Sequence, residues 1–227
     1  MPILVGIDGT GGDINPGAAR DARYDAAFAK SFVTRLCKNK ANAQYNRGPV
    51  ALGGGLVAAI NNCYNFIVQK RLENSRDPVL LTGYSRGAAG VVSLAKKLKD
   101  NSINVKAMLL FDCVDRHLFI DAKVIPNNVG YVMHVVRDPR SGSRESFSND
   151  GMLYNPPTVY PNAYAFMCTH GGMGGTPWDA TGHSPSEFIN EGGVDGKTNI
   201  TYGDDARVSE QVWDFVQPFI HTHGFNM

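Results

Sequence analysis

The sequence predicts an α/β fold, a mostly parallel sheet with helices on both faces. Three observations carry this. Short, almost wholly apolar runs such as Ile3 to Ile7 and Val79 to Thr82 have the length of strands buried on both sides. Between several of them lie stretches whose apolar residues recur at helical spacing. Glycine, proline or aspartate punctuates many of the junctions, where a chain must turn back onto its own sheet.

Taken from the N-terminus, Ile3 to Ile7 is a strand that runs into the glycine-rich turn Asp8-Gly9-Thr10-Gly11-Gly12. Ala22 to Cys37 carries Phe28, Phe32, Val33 and Leu36 at helical spacing. Gly53-Gly54-Gly55 interrupts the chain, and Leu56 to Leu72 reads as a second helix, broken at Asp77-Pro78. Val79 to Thr82 is the next strand, and Ala88 to Leu98 a helix with Val91, Val92, Leu94, Ala95 and Leu98 on its apolar side. Val105 to Phe111 ends at Asp112, Gly130 to Val136 ends near Asp138, and Ala163 to Cys168 ends at Thr169-His170. Ala206 to Val216 is a closing helix that Pro218 should end or kink. Segments 139–162 and 171–205 are rich in Gly, Pro, Asn and Ser and weakly periodic, as loops or a lid around a site would be. No repeat or linker divides the chain, so residues 1–227 are expected to form one domain.

Composition narrows the function. A formal net charge of +1, with no basic run or basic-aromatic stripe, argues against nucleic acid or an anionic membrane as partner. No stretch has the length of a transmembrane segment, and the N-terminus lacks the charged start of a secretory signal. Synthesis in the cytoplasm is expected, with delivery outside by a signal-independent route still open. Cys37, Cys63, Cys113 and Cys168 form no CxxC pair and are expected to be free thiols.

The chemistry concentrates at Gly83-Tyr84-Ser85-Arg86-Gly87, a G-x-S-x-G pattern between a strand and a helix. That context is what a nucleophile elbow of an α/β-hydrolase requires. The turn is sharp, the serine backbone is strained, and side chains two residues either side would collide with neighbouring elements. A Gly-rich turn carrying a solvated serine is the bland alternative. A nucleophilic serine needs a histidine base and an orienting acid, in the chain order Ser, acid, His. His170 follows a predicted strand and is flanked by Gly171-Gly172; Asp112 and Asp138 each follow a strand and could orient it. His170 could instead simply cap its glycine turn. His183, His221 and His223 are competitors; His221 and His223 read better as a solvated tail than as a metal pair. His117 and His134 lie in or beside core elements and look structural.

An acyl-transfer oxyanion needs two N–H donors. The amide of Arg86 is one, and the loop Gly9-Thr10-Gly11-Gly12 is the natural source of the second, with the Thr10 hydroxyl in addition. Two rival readings of that loop fall away. Asp-x-Asp-x-Thr phosphatases need an aspartate where this chain has Gly6, and no Walker A lysine motif supports an ATPase. The Arg86 side chain is expected to brace the elbow against Asp8 or Asp112, or to contact a substrate anion.

Gly83-Tyr84-Ser85-Arg86-Gly87-Ala88 resembles the G-F-S-R-G-A elbow of the DUF2235 family, which includes lipase effectors of type VI secretion systems. Ile7-Asp8-Gly9-Thr10-Gly11 is similar to that family's F-D-G-T-x-N, and Arg47-Gly48-Pro49 with Gly53-Gly54-Gly55 to its tyrosine- and glycine-rich segment. Phe111-Asp112-Cys113-Val114 resembles its W-D-T-V, Val136 to Arg140 its A-x-D-E-x-R, and Thr169 to Gly175 its V-H-x-D-x-G-G. The resemblance implies an esterase or phospholipase with a Ser85, Asp, His170 triad and favours Asp112; the more usual hydrolase position, after the next strand, favours Asp138. It also implies a lipid or small-molecule ester as substrate, and a secretion-machinery or immunity protein as partner. The chain is short for the family, and His170 is followed by Gly-Gly rather than a polar-acidic pair. The expectation is hydrolysis of carboxylic esters without cofactor or metal. The alternatives are cleavage of a thioester, amide or acetyl bond, or a non-catalytic binding module on a hydrolase scaffold.

Overall fold

A computed structural model describes residues 1–13, 17–115 and 120–226 of the chain. The apolar runs form strands as their composition dictates. In chain order the elements are β1 (Ile3–Ile7), α1 (Ala18–Ala27), α2 (Phe32–Cys37), β2 (Ala43–Asn46), α3 (Leu56–Glu73), β3 (Val79–Tyr84), α4 (Arg86–Asp100) and β4 (Val105–Phe111). Then follow β5 (Val124–Ile125), β6 (Val129–Arg137), β7 (Leu153–Tyr154), β8 (Tyr164–Phe166), α5 (His170–Met173), β9 (Phe188–Asn190), β10 (Lys197–Thr201) and α6 (Tyr202–His223). Six strands make one sheet in the order β2-β1-β3-β4-β6-β8, with every neighbouring pair parallel. With helices on both faces, this is the α/β-hydrolase-like architecture that the sequence predicts.

Alternation along the strands assigns the two cores. Ile3, Val5 and Ile7 of β1, with Val79 and Leu81 of β3 and Met108 and Leu110 of β4, face α3 and α4. Leu4, Leu80, Ala107 and Leu109 face the opposite way, against α1, α2 and α6. Each large aliphatic chain so buried contributes about 1.5–3 kcal/mol of transfer free energy, and β1 and β3 are buried along their whole length.

The strand order also positions a site. From β1 the chain moves to one side to form β2, then returns across β1 to form β3. The loops leaving the carboxyl ends of β1 and β3 therefore diverge at a switch point, where parallel sheets open a crevice. Those two loops are Asp8–Gly12 and the Ser85 turn.

Several elements differ from the sequence expectation. The helix expected over Ala22 to Cys37 is two helices, because Ser31 caps α2 by accepting from the Thr34 amide while its hydroxyl bonds the buried Asp8 carboxylate. Strand β2, Ala-Gln-Tyr-Asn, is half-polar because it lies at the sheet edge, and its sequence carries little strand signal. Helix α6 runs through Pro218 to His223. Its buried stripe Val208, Val212, Val216 and Ile220 continues past the proline, and that packing outweighs the lost hydrogen bond. His221 and His223 are thus the last turn of a helix rather than a tail; His223 is buried between the rings of Tyr131 and Phe219. The segment 171–205 holds α5 and the antiparallel hairpin β9–β10, while 139–162 holds a 3-10 turn at Pro139–Ser141 and the short β7. Among the described residues, no helix is long and apolar enough to cross a membrane. All four cysteines are buried free thiols, with burial pushing their pKa values up.

Candidate active site

The elbow is built by steric necessity. Ser85 has φ 57° and ψ −128°, a strained backbone for a residue with a Cβ. A Cβ on Gly83 would lie 2.7 Å from the backbone of Ala88, and one on Gly87 would lie 2.2 Å from the carbonyl oxygens of Ile7 and Asp8. Only glycine at both places lets α4 start this close to β1 and β3. The Ser85 amide donates to the Phe111 carbonyl at 3.0 Å, and the Val114 amide donates to the Ser85 carbonyl at 3.2 Å. The elbow is thereby tied to the loop that carries Asp112.

From Ser85 an unbroken chain of hydrogen bonds leads inward. Ser85 Oγ lies 2.8 Å from His170 Nε2, and His170 Nδ1 lies 2.6 Å from Asp112 Oδ2. Asp112 is completely buried and acts as acceptor for four donors. Oδ2 also accepts from Arg137 Nη1 at 2.6 Å, and Oδ1 accepts from the Arg137 amide at 3.1 Å and from Asn149 at 2.7 Å. Burial by itself would raise its pKa. The hydrogen bond and charge of His170, with the Arg137 guanidinium, instead hold it well below the usual carboxylate range. An ionised Asp112 can only accept, so the proton sits on His170 Nδ1, and Nε2 is left to accept the serine hydroxyl proton.

The two aspartates that sequence left open are therefore separated. Asp138 caps the 3-10 turn, accepting from the Arg140 amide at 2.9 Å and pairing with Arg140 Nη2 at 2.6 Å, which lowers its pKa to about 2. It is not part of the chain through His170, and the reason is geometric. Arg137 is the last residue of β6, so Asp138 already lies past the sheet edge, where its amide bonds Phe166. Of the other histidines, His134 is buried in β6, where its Nε2 accepts from the Cys113 amide and its Nδ1 faces Tyr160 OH, both at 3.1 Å; burial lowers its pKa to about 4. His183 pairs with Glu187 and stacks on Tyr202 at the surface. His117 lies outside the described residues. Among the described residues no group of three His, Cys, Asp or Glu could hold a metal.

Arg86 does not brace the elbow through Asp8 or Asp112; its Nη1 donates to the Ala51 carbonyl at 2.7 Å, and the guanidinium that supports Asp112 is that of Arg137. Nothing local in Val136-Arg137-Asp138 distinguishes that arginine by sequence, since its partner is 25 residues away. The loop after β1 is also narrowed. The Gly9 amide donates to Asp8 Oδ1 at 2.9 Å, the Gly11 amide to the Pro49 carbonyl at 3.0 Å, and the Gly9 carbonyl accepts from Tyr24 OH at 2.5 Å. Thr10 sits between these fixed points and lines the same cavity as Ser85; its hydroxyl is buried and has no partner among the described residues.

Asp8, beneath this loop, is fully buried and held by Gly9, the Ser31 hydroxyl and Tyr45 OH at 3.2 Å. Burial, opposed by these bonds, pushes its pKa up to about 7. Between an unfolded value near 4 and that folded value, the native state holds a proton that the unfolded chain has lost. Stability from this group therefore falls as pH rises from 4 to 7. Asp8→Asn keeps an acceptor for Gly9 and removes the titration. Relative to wild type, its Tm is expected to rise between pH 5 and pH 8, which thermal unfolding at the two pH values checks.

A cavity of about 410 Å3 opens over Ser85 and His170, walled by Phe28, Phe147 and Trp178 and edged by Arg144 and Glu191. Phe147 meets the His170 ring edge-on, with centroids 5.4 Å apart.

No protein-family model and no curated protein matches the chain. Among solved structures it is similar to a YdeN-like hydrolase from Pectobacterium atrosepticum, at 14% identity over 60% of this chain and 63% of that one, with a TM-score of 0.34. An arylesterase matches at 20% identity over 51% of this chain and 38% of that one, with a TM-score of 0.30. An acetyl xylan esterase matches at 9% identity over 96% and 97%, with a TM-score of 0.35. The chain spans less than two thirds of the length of the first two.

Proposed function

We propose that the chain is a serine hydrolase of carboxylic esters, with Ser85 as nucleophile, His170 as base and then acid, and Asp112 as the orienting carboxylate. One observation carries the reading: the hydrogen-bonded line Asp112–His170–Ser85, at 2.6 and 2.8 Å, ends on a serine held at positive φ over the switch point of a parallel sheet. The segments that resemble DUF2235 elbows, acid loops and histidine turns supply these three residues.

The chemistry follows from the geometry. His170 Nε2 takes the Ser85 proton as Oγ bonds to the substrate carbonyl carbon, and the negative charge moves to the carbonyl oxygen. Donors for that oxygen are the Arg86 amide at the first turn of α4, where the helix dipole favours an anion, and Thr10 across the cavity. Collapse breaks the ester C–O bond, and His170 returns the proton to the departing alkoxide. Water, deprotonated by the same nitrogen, then attacks the acyl-enzyme and releases the acid and the free serine. Asp112 stabilises the imidazolium at each step and stays ionised, as its lowered pKa requires. The cavity, at about 410 Å3, has room for a small-molecule ester.

A fluorophosphonate probe tests the assignment. Stoichiometric labelling mapped to Ser85, with turnover of p-nitrophenyl acetate exceeding that of a matched thioester and anilide, is the expected result. A folded protein that takes no label at Ser85 would instead be a binding module on this scaffold.

A further inference from the structure

Asp205 is a buried carboxylate that the proposed chemistry does not use. It is 0% exposed, and no lysine or arginine among the described residues pairs with it. A buried carboxylate without a counter-charge is costly unless hydrogen bonds satisfy it, and here four donors do. Oδ1 accepts from the Thr169 amide at 2.8 Å and the Cys168 thiol at 3.2 Å; Oδ2 accepts from the Thr169 hydroxyl and the Trp178 amide, both at 2.9 Å. These donors come from one loop. Cys168 and Thr169 immediately precede His170, and Trp178 walls the cavity.

One turn further along α6, Ser209 donates to the Gly172 carbonyl at 2.7 Å. Residues four apart share a helix face, so a single face of α6 grips the histidine turn on both sides of His170. The approach is close: a Cβ on Gly172 would lie 2.5 Å from Asp205 Oδ1 and 2.3 Å from Cys168 Sγ. The Thr169 hydroxyl, held by Asp205, in turn accepts from the Gly172 amide at 3.0 Å and caps α5.

We infer that Asp205 is a positioning residue that sets two things together: the reach of His170 to Ser85 and the place of the Trp178 wall of the acyl cavity. The inference rests on the proposed roles of Ser85 and His170. Asp205→Asn tests it with little change of shape. Its amide can keep the Oδ1 bonds, and the Thr169 hydroxyl can turn to accept from the new NH2, but the Trp178 N–H then faces a donor. The wall should move first and the histidine after it.

The measurements are kcat and KM for p-nitrophenyl acetate and hexanoate with full-length Asp205→Asn and the milder Ser209→Ala. Val212→Ala, a core change on the same helix one turn beyond Ser209 that removes no hydrogen bond to the loop, is the control. All are assayed well below their Tm. For Asp205→Asn the expected result is a loss of about 100-fold in kcat/KM and a changed acetate-to-hexanoate ratio. Ser209→Ala should lose less, and Val212→Ala should keep the wild-type ratio whatever its Tm. A second readout does not need activity: the NMR signal of the His170 Nδ1 proton should shift or broaden in Asp205→Asn and stay put in Val212→Ala. If wild-type protein is inert to esters and probe, the reading of the site fails, and the proton signal alone decides the positioning role. If Asp205→Asn keeps the wild-type ratio and proton signal while only its Tm falls, Asp205 is a core residue and the inference is overturned.

Discussion

Ser85→Ala is expected to lower kcat for p-nitrophenyl esters by roughly a millionfold and to leave the fold in place. The substitution removes one oxygen, whose described partner is His170 Nε2 at 2.8 Å. Everything that shapes the elbow belongs to the backbone. The Ser85 amide still donates to Phe111, and its carbonyl still accepts from Ala88, Ala89 and Val114. Alanine and serine meet the same steric penalty at φ 57°, so the strain of the turn is unchanged. His170 Nε2, at the cavity wall, can bond water in place of the hydroxyl. Thermal unfolding should therefore change little while hydrolysis and probe labelling disappear. Activity within a hundredfold of wild type would mean that another group is the nucleophile.

The parts of this site that were legible in the sequence have local causes. The elbow could be read because Gly83 and Gly87 answer clashes with residues near them or with an adjacent strand, and such clashes leave a spacing in the chain. His170 could be read because a strand end followed by two glycines is where a parallel sheet delivers a side chain to its edge. The acid could not be settled. Asp112 and Asp138 both follow strands, and the choice depends on where β6 ends relative to β4, a register that only the assembled sheet defines.

Other features had no local signature at all. Arg137 and Asp205 act on partners 25 and 36 residues away, and each looks in sequence like an ordinary charged residue. The same limit explains the fold errors. An edge strand such as β2 needs no apolar run, and a proline inside α6 is tolerated because Val216 and Ile220 bury the same stripe on either side of it. The glycine loop after β1 was read as a source of several free amides. Two of them are committed, to Asp8 and Pro49, which leaves Thr10 and Gly12 as the residues of that loop that line the cavity with uncommitted amides among the described residues.

Asp112→Asn should cost about ten-thousandfold in kcat and, unlike Ser85→Ala, should also destabilise the protein. The catalytic loss follows from donor counting. Oδ2 receives both His170 Nδ1–H and Arg137 Nη1–H, and Oδ1 receives the Arg137 amide and Asn149. An amide nitrogen at the Oδ2 position can be matched only if His170 gives up its Nδ1 proton. The proton then sits on Nε2, pointing at Ser85, and the ring is no longer a base. An amide nitrogen at the Oδ1 position faces the Arg137 N–H, which has no way to turn.

The stability loss has a separate cause. Arg137 is 5% exposed, and its other hydrogen bonds go to the neutral carbonyls of Ser143, Arg144 and Phe147, so Asp112 is its counter-charge. Leaving that guanidinium buried and unbalanced costs about 3–5 kcal/mol. The pH dependence carries the same sign. Asp112 has its pKa lowered by folding, so its stabilisation is complete above the unfolded value near 4 and is lost as pH falls below it. The Tm gap between wild type and Asp112→Asn should therefore be widest near pH 7 and should shrink, without closing, as pH falls to 3. A gap that instead widens as pH falls from 7 to 3 would show that Asp112 is protonated in the native state, and with it the orienting carboxylate would be lost from the mechanism.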